Sequence, residues 1–114
     1  MCGGRNYANP AQVWWKLDAY WATASQSDPL EIIHGGASGA DTLAHEWALG
    51  RRVPVHIFKA DWRRLGKAAG PLRNQEMLDR MRPDVVLAFP GGKGTTDMVR
   101  RARTAKINVV EVAA

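Results

Sequence analysis

The sequence of 114 residues predicts an α/β fold, a three-layer sandwich in which two layers of helices cover a mainly parallel sheet. Apolar runs with the length of buried strands alternate along the chain with stretches of helical periodicity. Two of these runs end in glycine-rich turns that lead into helical stretches, HGGASGAD at 34–41 and FPGGKGTTDM at 89–98. Parallel neighbours need crossover connections, which helices supply, so the alternation favours a parallel sheet.

The first half of the chain predicts two helices and two strands. A helix over 10–24 has an asparagine N-cap and a proline at its first position. The apolar run 30–34 stops at a pair of glycines, as a buried strand does. A helix with an apolar face follows over 40–51, and 53–58 is a second strand.

The second half continues the alternation. Residues 61–71 predict a basic loop that contains glycine, and 72–81 predict a helix. The run 84–89 is the clearest buried strand because it is apolar beyond its first residue and is followed by Pro-Gly-Gly. A helix over 95–106 and a strand over 107–112 complete the pattern. Because ligands of parallel sheets bind beyond the carboxyl ends of strands, both glycine turns are placed for binding.

The composition predicts one domain with neither a disulfide nor a membrane segment. Hydrophobic residues make up 46% of the chain, enough for one core. No run approaches the roughly 18 apolar residues that cross a bilayer, so we expect a cytoplasmic protein without a membrane partner. Cys2 has no disulfide partner and the three histidines lack ligand spacing, so we expect no metal site and no required cofactor.

The chain is basic, with a formal net charge of +5. This charge suits a polyanionic partner, either a nucleic acid or a phosphorylated small molecule. Basic residues concentrate at Arg100, Arg101, Arg103 and Lys106. Such clusters also occur on solvated helix faces and complement the helix dipole, so charge alone leaves the partner open.

The two glycine turns have the chemistry of phosphate sites. Glycine lets backbone N–H groups point at a phosphate without an intervening side chain, and the following helix adds its own N–H groups and dipole. The alternative is an ordinary connection, with Ser38 and Asp41 forming a capping box and Thr95 capping the last helix. Neither turn has the spacing of a Walker A loop or of G-x-G-x-x-G, which disfavours a standard ATPase or dehydrogenase.

The chain resembles the YspA branch of the SLOG superfamily, also called DUF2493. The motifs that carry the resemblance are CGGRNY, HGGASGAD, ADW, GPLRN and FPGGKGT, at 2–7, 34–41, 60–62, 70–74 and 89–95. The resemblance implies a Rossmann-like fold that binds nucleotides or nucleotide derivatives of the ADP-ribose, NAD or nucleoside-phosphate class, in enzymes or sensors. Relatives in the superfamily include the "lonely guy" phosphoribohydrolases and the DNA-processing protein DprA.

The resemblance also implies a set of ligand-binding residues in three turns, here named the amino-terminal turn (3–5), the first glycine turn (34–41) and the second glycine turn (90–97). They are Gly3, Gly4 and Arg5 in the amino-terminal turn; Gly35, Gly36, Ser38, Gly39 and Asp41 in the first glycine turn; and Gly91, Gly92, Gly94 and Thr95 in the second.

Three further residues are candidates outside the turns. Arg73 matches an arginine of the phosphoribohydrolases that is able to grip phosphate or ribose, although a solvated arginine at a helix start fits the sequence equally well. Asp61 and Trp62 border the implied pocket. Trp62 is available to stack on a base, and a tryptophan of the core or of a lid is the alternative.

The chain departs from the resemblance at two places. The phosphoribohydrolase motif carries a glutamate where this chain has Met98, so catalytic residues are not assigned and Asp97 and Arg73 remain as candidates. Relatives begin with an apolar strand, whereas this sequence starts at Met1–Cys2, so we expect the first, central strand to be missing. We expect a homodimer or higher oligomer to cover the resulting gap.

Three functions follow, in order of support. The leading hypothesis is a binding module, of the kind that serves as a sensor, for a nucleotide-derived ligand. Its phosphates would lie on the two glycine turns and Arg73, and a ribose hydroxyl on Asp41. The second is a hydrolase of N-glycosidic or phosphoester bonds, with Asp97, Asp41 or Asp61 as acid or base. The third is DprA-like nucleic-acid binding, which ranks last because the arginine cluster lacks interleaved aromatic residues.

Overall fold

A computed structural model describes residues 1–113 and shows an α/β fold, which confirms the predicted class. Helices and strands alternate through most of the chain. The helices are α1 (Pro10–Thr23), α2 (Ala40–Arg51), α3 (Trp62–Leu65), α4 (Ala69–Met81) and α5 (Lys93–Thr104), with a 3-10 turn at Gly66–Ala68. The strands are β1 (Ile32–His34), β2 (Val55–Ile57), β3 (Val85–Ala88) and β4 (Asn108–Glu111).

The predicted loop over 61–71 is wrong, because this segment is almost wholly helical. The side chain of Asp61 accepts the backbone N–H of Arg64 at 3.2 Å and so caps α3. The proline at position 71 lies in the first turn of α4, where its missing N–H costs no helical hydrogen bond. Helix α4 therefore begins three residues earlier than the sequence pattern predicts.

The sheet consists of two parallel pairs, β1 with β2 and β3 with β4. Among residues 1–113, only Met1 and Cys2 make backbone hydrogen bonds between the pairs. Cys2 donates its N–H to the Leu87 carbonyl at 3.0 Å and accepts the N–H of Phe89 at 2.9 Å. On the other side, the Met1 ammonium donates to the carbonyl of Ile33 at 3.1 Å. These two residues thus stand between the pairs, where the sequence predicts a missing strand.

Two apolar clusters pack on opposite faces of the strands. One joins α1 and α2, through Val13 and Trp47, to Leu87 of β3. The other joins α4 and α5, through Leu78 and Met98 among others, to Val86 of β3. Because consecutive residues of a strand point to opposite faces, Val86 and Leu87 show that helices cover both sides.

A cavity of about 450 Å³ continues the line of Met1 and Cys2 between β1 and β3, and we call it the central slot. Its lining is largely apolar and includes Leu17, Ile32, Leu78 and Val86. Ile33 turns its carbonyl toward Met1, away from β2. Since backbone groups alternate between the two neighbours of a strand, both edges of the slot present backbone N–H and C=O groups.

The described part of the chain contains no helix that is both long and apolar enough to cross a bilayer. Within residues 1–113, no three side chains of His, Cys, Asp or Glu are grouped so that they could hold a metal ion. The thiol of Cys2 is half-buried, and burial chiefly raises its pKa above the ordinary value. Cys2 is therefore a protonated thiol near neutral pH rather than a nucleophile.

Candidate functional site

A cavity of about 890 Å³ lies at the carboxyl ends of β1 and β3. The amino-terminal turn and both glycine turns meet there, at the end of the sheet where parallel α/β folds bind ligands. The lining includes most of the predicted site residues, namely Gly3, Gly4, Arg5, Gly35, Gly36, Ser38, Asp41, Trp62, Arg73, Gly92, Gly94 and Thr95. Gly39, Gly91 and Asp61 do not line it. The structure therefore brings together residues that lie more than 90 positions apart in sequence.

The N–H groups of the first glycine turn donate hydrogen bonds within the turn itself. The Asp41 carboxylate accepts from Gly35 at 3.1 Å and from Ala37 at 3.2 Å, both on Oδ2. The N–H of Gly36 donates to Nδ1 of His34 at 2.9 Å. Ser38 donates instead to the carbonyl of Arg5 at 3.1 Å, so Ser38 and Asp41 do not form the capping box that the sequence left open. This turn is shaped by internal hydrogen bonds that occupy three consecutive donors.

Gly39 holds the first glycine turn against the amino-terminal turn. Its φ of 78° lies in the left-handed region, which favours glycine. A Cβ atom at this position would overlap the carbonyl oxygens of Gly4 and Arg5. Gly39 therefore allows the close backbone approach of the two turns beside the cavity.

The second glycine turn is open toward the cavity. Gly92 is the N-cap of α5, and neither a capping side chain nor an acidic residue of the first turn occupies the N–H groups there. A Cβ atom at Gly92 or Gly94 would meet no atom within 4 Å. The Thr95 cap considered from the sequence does not form, since the cap is Gly92. The unoccupied N–H groups and the helix dipole suit an anion at this end of α5.

Arg73 connects the first glycine turn to the end of β2. Its Nη1 donates to the carbonyl of Gly35 at 2.9 Å and to that of Phe58 at 3.3 Å, and its Nε donates to Oδ1 of Asn74 at 3.0 Å. In the described part of the chain Nη2 makes no hydrogen bond. Arg73 thus positions the turn, and of its guanidinium nitrogens Nη2 is the one without a partner in the described residues.

The Asp97 carboxylate is held by three side chains. Oδ2 accepts from Asn74 at 3.0 Å and from Arg101 at 2.8 Å, while Oδ1 accepts from Arg100 at 2.9 Å. Burial raises the pKa of Asp97, but these hydrogen bonds and the Arg101 charge outweigh it and lower the pKa below its ordinary value. Asp97 is consequently an ionised structural carboxylate with its proton-accepting oxygens already bonded.

Met98 faces away from the cavity. It is buried in the apolar cluster with Met77 and Leu78, and it borders the central slot. Because the position of the phosphoribohydrolase glutamate is turned into the core, a carboxylate here would not line the cavity in this conformation. Position 98 therefore differs from the phosphoribohydrolase motif in two respects, since its side chain has no carboxylate and points into the core.

The cavity is strongly basic. Arg5, Lys59, Lys67, Arg73 and Lys93 line it, and the lining acids are Asp41 and Asp97, both engaged by donors. The predicted site residues did not include the three lysines. Lys59 and Lys67 lie outside the glycine turns and reach the cavity only when the chain folds, while Lys93 lies within the second glycine turn. Five cations around two carboxylates favour an anionic ligand.

The arginine cluster of α5 is largely paired with acids. Arg100 and Arg101 bind Asp97, and Arg103 binds Glu111 at 2.8 Å. Paired arginines have less charge available for a nucleic-acid backbone than the sequence cluster implies. The concentration of cations at the cavity is the stronger electrostatic feature.

A model of the YspA, cpYpsA-related SLOG family matches residues 1–65, more than half of the chain. The chain belongs to this SLOG family. Its first 65 residues include the amino-terminal turn and the first glycine turn. Family membership indicates a nucleotide-related function. The SLOG chain is also 47% identical over 88 residues to the Gene 61 protein of Mycobacterium phage D29, a match that covers 71% of this chain and 70% of the phage protein. No solved structure gives a significant match.

Proposed function

We propose that this SLOG protein binds a nucleotide or nucleotide-derived ligand with at least one phosphate. The observation that carries the proposal is the basic cavity of about 890 Å³ where the glycine turns converge. Its volume is within the usual range of small-molecule sites, about 300–1,000 Å³. Its position at the carboxyl ends of two neighbouring strand pairs is that of nucleotide sites in parallel α/β folds.

The phosphate binds at the second glycine turn. The amino end of α5 has unoccupied N–H groups and no acidic residue in its first turn, and Lys93 is its first residue. The first glycine turn contributes differently, because its three N–H groups are already hydrogen-bonded within the turn. It can offer a ligand the shape of its backbone and the buried Asp41 carboxylate. A ribose hydroxyl donating to Asp41 would then lie on the side of β1, opposite the phosphate.

We further propose that binding, not hydrolysis, is the main activity. Asp97 is a carboxylate with lowered pKa whose oxygens are already bonded, so it is poorly suited to accept or donate a proton. Met98 supplies no carboxylate and is buried away from the cavity. The ligand therefore remains intact in the site, as a sensor or carrier requires.

Thermal unfolding in the presence of AMP, ADP-ribose and NAD tests the proposal. A ligand that binds the native state alone stabilises it by RT ln(1 + L/Kd), where L is the free ligand concentration, so Tm rises with the logarithm of ligand concentration once that concentration exceeds Kd. Gly92→Val should abolish the shift, because a side chain would project into the open space where phosphate approaches. Gly50→Val is the matched control, since Gly50 is in equally open space on α2 outside the cavity lining. A folded wild-type protein with no shift for any of the three compounds would refute the proposed function.

A further inference from the structure

Trp62 is a large aromatic side chain that the fold leaves unburied at the cavity. It is 48% exposed and lines the cavity from the first position of α3. The edge of its six-membered ring packs on Gly70, where a Cβ atom would come within 2.9 Å of Cη2. The backbone of α4 therefore fixes the position of the ring, and the core does not cover it. An exposed tryptophan held this way has an aromatic face available to a ligand.

Arg5 stands over the same ring. Its guanidinium carbon lies 5.3 Å from the ring centroid of Trp62. In the described part of the chain the guanidinium forms no ion pair, although the Arg5 carbonyl is held by Ser38 at 3.1 Å. The backbone of Arg5 is thus anchored between the turns while its side chain is exposed and can move. The pair brings the amino-terminal turn and α3 together at the cavity.

We propose that Trp62 and Arg5 form a recognition site for a planar heteroaromatic base, which stacks on Trp62 and is covered by the Arg5 guanidinium. The inference rests on the proposed function and deepens it, because it makes the base, and not the phosphate alone, a determinant of affinity. Contact layers are about 3.5–4.0 Å thick, so an inserted ring needs Arg5 to move outward by about 2 Å or more. Stacking tolerates different bases, since every base has a π face.

The site makes one clear distinction between ligands. A nucleoside phosphate presents a base to Trp62 and a phosphate to the amino end of α5. A sugar phosphate presents only the phosphate. The wild-type protein should therefore bind AMP more tightly than ribose 5-phosphate by about 10-fold or more, the range expected for stacking of one base.

Calorimetric titration of three variants with AMP and ribose 5-phosphate tests the inference. Trp62→Ala should weaken AMP binding about 10-fold and leave ribose 5-phosphate within about twofold. Trp62→Phe should restore part of the AMP affinity. Trp15→Ala, which removes a 70% exposed tryptophan on α1 outside the cavity lining, should change neither. Quenching of tryptophan fluorescence by AMP in the wild type should be lost in Trp62→Phe.

Each result supports or overturns the inference. AMP binding that Gly92→Val abolishes but Trp62→Ala leaves unchanged would overturn the inference and keep the proposed function. If Trp62→Ala weakened the binding of AMP and of ribose 5-phosphate equally, Trp62 would be a structural residue of the cavity wall. That result would also overturn the inference. Absence of AMP binding to the folded wild type would overturn both.

Discussion

His34 accepts the backbone N–H of Gly36 on Nδ1 at 2.9 Å, and this bond fixes the tautomer of its imidazole. With Nδ1 as acceptor, the proton is on Nε2, which then donates to Nδ1 of His45 at 3.0 Å. The bond from Gly36 requires a neutral His34, because a protonated Nδ1 cannot accept a hydrogen bond. Burial is the main cause that lowers the pKa of His34, with Asp41 acting in the opposite direction.

The stability of the protein should therefore fall in mild acid. A histidine whose folded pKa is below its unfolded value of about 6.5 stabilises the fold above that pH, and this contribution is lost as pH falls toward the folded pKa. The free energy of unfolding, measured in urea between pH 7 and pH 5, should drop by up to about 1.4 kcal/mol per pH unit from this group. His34→Gln should flatten the dependence, because it removes the imidazole whose pKa is lowered. Parallel profiles for wild type and His34→Gln would contradict the assignment.

Gly39→Ala should be strongly destabilising. The new Cβ would overlap the carbonyl oxygens of Gly4 and Arg5, and φ is 78°. We expect a loss of about 3 kcal/mol or more in the free energy of unfolding. Gly50→Ala on α2 has open space around it and should instead gain about 0.5–1 kcal/mol. Equal stability of the two variants in urea titrations would show that the turns do not pack as described.

Met98→Glu should destabilise the protein without creating a hydrolase. The carboxylate would enter the apolar cluster of Met77 and Leu78, at a cost of about 3 kcal/mol or more. Met98→Leu conserves volume and should cost less than about 1.5 kcal/mol. Chromatography of AMP incubations should detect no release of free base from wild type or from either variant. Base release by the wild type that disappears in Asp97→Asn would contradict the binding-only proposal.

The central slot leads us to expect self-association. The strand edges that border it present backbone groups, and sheet edges pair readily with other chains, so the protein should form a dimer or higher oligomer at about tens of micromolar. Light scattering over a dilution series measures the oligomeric state. A monomer at every concentration would contradict the oligomer hypothesis.

The sequence predicted the fold class and the meeting of the three turns because strand ends and glycine motifs are local features that a parallel sheet brings together. It could not predict which N–H groups of the first glycine turn are occupied, since that depends on the Asp41 rotamer and the His34 tautomer. The sequence also could not predict that Arg73 holds the first glycine turn in place. Its carbonyl partners at Gly35 and Phe58 become neighbours only when β1 pairs with β2. The error over 61–71 arose because glycine and proline there read as loop residues although both fit helix termini.

The two residues between the strand pairs also bear on how the two sides of the sheet respond to a ligand. Met1 and Cys2 provide backbone hydrogen bonds that join the β1–β2 pair to the β3–β4 pair, and the apolar cluster that contains Ile32 and Leu87 packs across both pairs. The cavity spans this boundary, with one glycine turn from each pair. A bound ligand that contacts both turns should therefore slow amide exchange on both sides of the boundary.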